Sequence, residues 1–118
     1  MSDERAIALE RMQHMLEAAD AIAGYVARGR AVFDADQAVR DAILFRIVVI
    51  GEAAKAVVQR DPALANELSD VEWSALARMR DRITHQYWAI DSQIVWDTAQ
   101  DDIPEVRDLL AGARARLS

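Results

Sequence analysis

Ala42-Ile43-Leu44-Phe45-Arg46-Ile47-Val48-Val49-Ile50-Gly51-Glu52-Ala53-Ala54-Lys55-Ala56-Val57-Val58 is the most apolar stretch of this chain. Taken alone, Ile43-Leu44-Phe45 and Ile47 to Ile50 read as a buried strand. The surrounding pattern is too long for that and has helical spacing. Asp34 or Asp36 can cap a helix ahead of it, and Asp61-Pro62 stops that helix after Arg60. Three charges inside the stretch, Arg46, Glu52 and Lys55, speak against a membrane span. The ends of the helix are amphipathic, with Asp41, Lys55 and Gln59 on the polar side. In the middle that side passes Phe45 and Val48, so the centre is apolar all round. A helix of that kind has to be covered on every side. A chain of 118 residues has few elements to do it, and a homodimer is expected.

The flanking segments are helical too. Met12, Met15, Leu16, Ala19, Ile22, Ala23 and Val26 form a stripe on a first helix, from about Asp3 to Arg28. Gly29 to Asp34 reads as a loop, as does Asp61 to Leu68. Ser69-Asp70-Val71-Glu72 has the spacing of a capping box, which predicts a third helix from about Asp70 to Thr84. A break follows near Tyr87 to Ile90. Asp91 caps a fourth helix to about Gln100. Pro104 suits the first turn of a fifth, where Val106, Leu109, Leu110, Ala113 and Leu117 make the apolar stripe. The expected fold is one all-α domain over residues 1–118, an up-and-down bundle of about five helices.

Hydrophobic residues make up 53% of the chain, enough for a real core, and there are 4 Gly and 2 Pro. There is no cysteine, which excludes disulfides, thiolate metal sites and a Cys nucleophile. Two distant histidines speak against a structural zinc site. The N-terminus has acids at once and no apolar core, so it does not read as a signal peptide. A cytoplasmic location is expected. The formal net charge of −6 does not advertise general nucleic-acid binding, and no DNA partner is expected. RNA would have to meet a local basic cluster; a basic protein partner suits the balance equally.

The segment with chemistry in it is Arg78-Met79-Arg80-Asp81-Arg82-Ile83-Thr84-His85-Gln86-Tyr87-Trp88. It carries three of the 14 Lys and Arg residues and one of two histidines. On a helical wheel Trp73, Leu76, Ala77, Met79 and Ile83 share one sector, and Arg80 falls inside it. Arg78, Arg82 and His85 fall outside. A charge among core residues needs a partner or a function. Arg80 is either salt-bridged, for instance to Glu52 on the second helix, or an anion site. Asp81 precedes His85 by one turn and can meet it. A carboxylate there would orient the imidazole and raise its pKa, for acid–base work near neutral pH. The alternative is a surface histidine favoured by the helix dipole. His14, between Glu10 and Glu17, is assigned no role. Tyr87 falls where the helix ends, either exposing its hydroxyl or packing its ring on the body of the protein. Trp73, Trp88 and Trp96 read as core. Gly51 sits mid-helix at a cost of roughly 1 kcal/mol, for which close approach of another backbone is the expected reason. There is no Gly-rich phosphate loop, Ser-His-Asp order or metal-ligand cluster.

At these residues the sequence resembles the HepT-like HEPN proteins. Arg80, four residues, His85, one residue, Tyr87 matches their R-x(4–6)-H-x-Y motif. Ile47 to Lys55 looks like the helix ahead of that motif. Trp73, Met79-Arg80, Ile90-Asp91 and Val95-Trp96 stand at similar spacings. The resemblance runs from about Ala6 to Leu110. It implies a homodimeric helical bundle with two motifs in one cleft, and a metal-independent endoribonuclease that cleaves RNA, tRNA or mRNA, with no cofactor. It implies the toxin of a type VII-like toxin–antitoxin system. The partner would be a cognate minimal nucleotidyltransferase antitoxin that silences the toxin by AMPylation. Carried over, Arg80 would hold the scissile phosphate, His85 would be the general acid/base and Tyr87 the AMP acceptor, supported by Asp81, Arg82, Arg78 and Glu52. Asp81 stands where the family most often has Asn. A carboxylate beside a phosphate site repels RNA, which keeps a second function open: a non-catalytic nucleotide- or substrate-binding subunit of a nucleotidyltransferase. Arg80 and His85 lie about 140° apart on a regular helix. They converge if the helix ends before His85 or if a two-fold mate closes the site; both are expected.

Overall fold

The computed structural model describes residues 2–117, and the described residues are all-α, without strands. Two 24-residue helices form the frame: α1, Asp3–Val26, and α3, Gln37–Arg60. The remaining helices are α2, Arg30–Ala35, α4, Pro62–Glu67, α5, Trp73–Gln86, α6, Ser92–Asp97, and α7, Ile103–Leu117. Helix α3 lies between α1 and α5, and α7 packs on α1. The core runs through Met12, Met15 and Ile22 of α1, Ile43, Ile50 and Val57 of α3, and Ile103 and Leu110 of α7, all fully buried.

Two expected loops are short helices instead. In α2, Arg30 and Asp34 pair one turn apart at 2.9 Å, and Phe33 is buried against Trp96, with ring centroids 5.1 Å apart. Arg40 Nη1 closes the far end by donating to the carbonyls of Phe33 and Asp34 at 2.8 and 2.7 Å. In α4, the same Asp61-Pro62 that stops α3 starts the next helix. Asp61 accepts from Leu64 N at 3.1 Å and Pro62 sits in the first turn. Asp61 also binds Arg5 of α1, and its carboxyl is held below the usual carboxylate range chiefly by that hydrogen bond.

The capping box does not form. Helix α5 starts at Trp73, three residues later than the spacing predicts, and Glu72 caps it without a side-chain hydrogen bond. The indole of Trp73 donates to the carbonyls of Ala65 and Leu68 at 3.2 and 3.1 Å. That folds residues 68–72 into a tight turn, with Val71 N donating to Leu68 O, so the residues of the box are consumed by the turn. At the other end α5 continues through His85 to Gln86 before a 3₁₀ turn at Tyr87–Ala89. The fraying expected before His85 is absent. Asp91 caps α6 as the sequence predicts, accepting from Gln93 N at 2.8 Å. Helices α6 and α7 join through a π turn, Thr98–Asp102, ahead of Pro104, which has no N–H for the ladder.

The exposed side of α3 is where the sequence requires a cover. Phe45 is 61% exposed and Val58 is open too. Ala23 of the first stripe also faces out. Among the described residues no helix is long and apolar enough to cross a membrane.

Candidate active site

Gly51 decides how α3 and α5 meet. A Cβ there would stand 2.7 Å from Leu76 O and would run into Arg80 Cβ, distances that real Cβ atoms do not tolerate. The missing side chain lets the backbone of α5 lie directly on α3. It also sets Arg80 beside the next residue of α3, Glu52.

Four charges follow from that contact. Arg80 Nε stands 2.7 Å from Glu52 Oε2, an ion pair in which the carboxylate lies off the N–H direction, so the buried Nε has no hydrogen-bond acceptor. Arg80 Nη1 donates to Asp81 Oδ1 at 3.1 Å. Lys55 Nζ, one turn after Glu52, reaches the same Oδ1 at 3.4 Å. The Arg80 guanidinium, with Lys55 beside it, holds the Asp81 carboxyl below its ordinary range. The row Glu52, Arg80, Asp81, Lys55 is therefore net neutral, and Arg80 is three-quarters buried within it.

The turn-to-turn contact expected between Asp81 and His85 does not form. The Asp81 carboxylate is drawn to the two cations, which offer it full charge, and none of its hydrogen bonds goes to His85. Thr84, between them, turns its hydroxyl back to donate to the carbonyls of Arg80 and Asp81 at 3.1 and 3.2 Å. His85 is exposed in the last turn of α5. Tyr87 caps that helix and is 68% exposed, so its hydroxyl is not packed away. Arg78 and Arg82 are exposed, one turn apart, and make no ion pair among the described residues. They are the unspent cations of the segment and line one shallow hollow with Asp81 and Met79.

Three features escape the sequence reading. Lys55 appears there as a polar-face residue; its spacing of three from Glu52, opposite the adjacent Arg80 and Asp81, is the signal that pairs the two rows. His14 is half-buried and lines a cleft of about 510 Å³ with Arg11, Glu52 and Lys55, behind the ion pairs. Trp88, read as core, is 72% exposed, whereas Trp73 and Trp96 are buried. It lies in the break after α5, outside any apolar stripe. Among the described residues no group of three His, Asp or Glu is placed to hold a metal.

A family model described as "Ribonuclease HepT-like" matches residues 15–112, which include every residue of the charged row and the motif. A protein of Thermococcus cleftensis named "Probable ribonuclease HepT" is 32% identical over 75 residues, 64% of this chain and 66% of its own length. Two Methanocaldococcus jannaschii proteins, each named "Putative RNase", are 33% identical over 72 residues, 61% of this chain and 60% and 57% of theirs. The chain thus spans between 57% and 66% of the length of these relatives. No solved structure matches it. The match over most of its length, including Arg80, His85 and Tyr87, makes this chain a member of the HepT-like family.

Proposed function

We propose that this protein is a metal-independent endoribonuclease toxin that acts as a homodimer. The observation that carries this reading is the placement of His85 and Tyr87, exposed at the end of α5 about one and a half to two turns beyond an Arg80 that is three-quarters buried, in a chain of a family described as ribonuclease. Helix α5 is regular through His85, so Arg80 and His85 of one copy diverge by about 140°. A phosphate held by Arg80 is then met by His85 of a second copy across a two-fold axis. The open side of α3, with Phe45 at its centre, supplies the apolar surface for that pairing.

In the reaction, His85 takes the proton of a ribose 2′-OH as its oxygen attacks the adjacent phosphorus. The P–O5′ bond breaks and the 5′-oxygen leaves with a proton. Arg80 offsets the charge on the phosphoryl oxygens, with Arg82 and Arg78 on the approach. The cognate partner would be a minimal nucleotidyltransferase. It transfers AMP from ATP to the Tyr87 hydroxyl, releasing pyrophosphate and the hydroxyl proton, and places a phosphate among the motif arginines.

The test is cleavage of total cellular RNA by the purified protein in EDTA, beside His85→Ala. Cleavage by the wild type alone is expected. A second function, a non-catalytic nucleotide-binding subunit of the transferase, is favoured by the neutral row that occupies Arg80. A folded, unmodified dimer that cleaves nothing would select it.

A further inference from the structure

The most exposed aromatic pair of this molecule borders a cavity. Tyr87 and Trp88 are 68% and 72% exposed and meet edge to face, centroids 5.4 Å apart at 84°. That arrangement leaves a ring face open for a third planar group. Beside them a cavity of about 350 Å³ opens between the first half of α3 and the turn after α5. Phe33, Leu44 and Val95 give it an apolar floor. Gln37, Asp41 and Ser92 line it as well, and none of these three side chains makes a hydrogen bond or ion pair among the described residues. Arg40 also lines it, but its Nη1 is held by two backbone carbonyls and serves as a brace. An apolar floor, an open aromatic face and a few unspent polar groups suit a flat heterocycle of nucleobase size. The cavity begins at Tyr87, two residues after His85.

We propose that this cavity seats one unpaired nucleobase of the RNA strand, stacked on the Trp88 indole, with Asp41 reading its edge. Stacking on exposed aromatics with hydrogen bonds to the base edge is how single strands are read. A carboxylate only accepts, so a base with an exocyclic amino group is preferred over uracil, whose carbonyls flank its one donor. The site deepens the ribonuclease reading and rests on it for the identity of the strand. A second copy seated over Trp88 is the competing occupant; the unspent polar groups around the cavity argue for a wet ligand over a dry interface.

The experiment uses the full chain as His85→Ala, so that RNA is bound and not consumed. Anisotropy of an end-labelled strand gives the affinity for every variant; where Trp88 is kept, its fluorescence reports contact directly, since Trp73 and Trp96 are buried. Short single-stranded oligo(A) and oligo(C) are expected to quench it, and oligo(U) to bind more weakly. An abasic strand with the same phosphates is expected to bind about tenfold more weakly than oligo(A), as is oligo(A) to a further Trp88→Leu change. Trp88→Phe keeps the ring and should retain affinity. Equal binding of the abasic strand, or unchanged affinity in Trp88→Leu, overturns the proposal. So does dissociation of the wild-type oligomer by Trp88→Leu in sedimentation, which would make Trp88 an interface residue. Base-dependent quenching in a protein whose wild type cleaves no RNA would keep the base site and reject the nuclease.

Discussion

Arg80 Nε and Glu52 Oε2 stand 2.7 Å apart, joining α5 to α3 at the point where Gly51 allows the two backbones to touch. One residue of α3 thus fixes the helix approach and the next occupies the cation of the motif. The pair is the alternative the sequence left open for Arg80; Glu52 itself is over half exposed, and under the proposed function a phosphate would take its place.

Gly51→Ala is expected to destabilise the fold despite a better helix propensity. The added methyl meets the Leu76 carbonyl and Arg80 Cβ, and overpacking against backbone costs about 1–3 kcal/mol, against roughly 1 kcal/mol gained in propensity. Thermal unfolding should show a melting temperature lower by several degrees. A rise would mean that α5 shifts freely on α3.

Asp81→Asn is expected to strengthen RNA binding. It removes a negative charge and weakens the 3.1 Å hold on Arg80 Nη1, because an amide oxygen still accepts but carries no full charge. A like charge near a phosphate in water costs about 1 kcal/mol, so a gain of about fivefold in affinity at low salt is expected, shrinking as salt rises. Binding titrations at two ionic strengths check this; weaker binding would show that Asp81 positions Arg80 for RNA.

Phe45→Glu is expected to leave a folded monomer. Phe45 is 61% exposed at the centre of the uncovered side of α3, so a carboxylate there has little to disturb within one copy and blocks an apolar pairing. Sedimentation of both proteins decides it. Persistence of a dimer would move the two-fold axis elsewhere.

Asp61→Asn isolates the Arg5 ion pair from the cap, since Asn caps as well as Asp. The folded pKa of Asp61 is depressed, so its contribution is present above the ordinary carboxylate pKa, about 3.9, and is lost as pH falls through the lower folded value. Urea unfolding should find wild type more stable than the variant at pH 7, the gap closing below about pH 4. A gap that widened in acid would contradict the ion pair.

Tyr87→Phe is expected to escape silencing by the cognate transferase while retaining RNA cleavage, because only the hydroxyl is lost from an exposed ring. Intact mass after incubation with transferase and ATP should show AMP on the wild type alone. Modification of the variant would place the acceptor at another residue.

The sequence by itself determined the helices that have long apolar stripes. The runs around Met12 to Ile22 and Ile43 to Val57 are periodic over many turns; the local cap Asp36 starts the second, as Asp91 starts α6. It also determined the cluster Arg80, His85, Tyr87, which is contiguous, and the close approach at Gly51, which an unfavourable residue in mid-helix betrays. The tertiary structure decided what long-range competition settles. The Ser69–Glu72 box lost to the Trp73 indole, whose two carbonyl acceptors lie up to eight residues back. Asp81 turned from His85 to Arg80 beside it and to Lys55 on another helix, because both bring a full charge to its carboxylate. Residues 30–35 and 62–67 became helices because Phe33 and Leu64 find buried seats that no short segment can announce. Trp88 stayed outside because it stands in the 3₁₀ turn after α5, where no apolar stripe turns it inward.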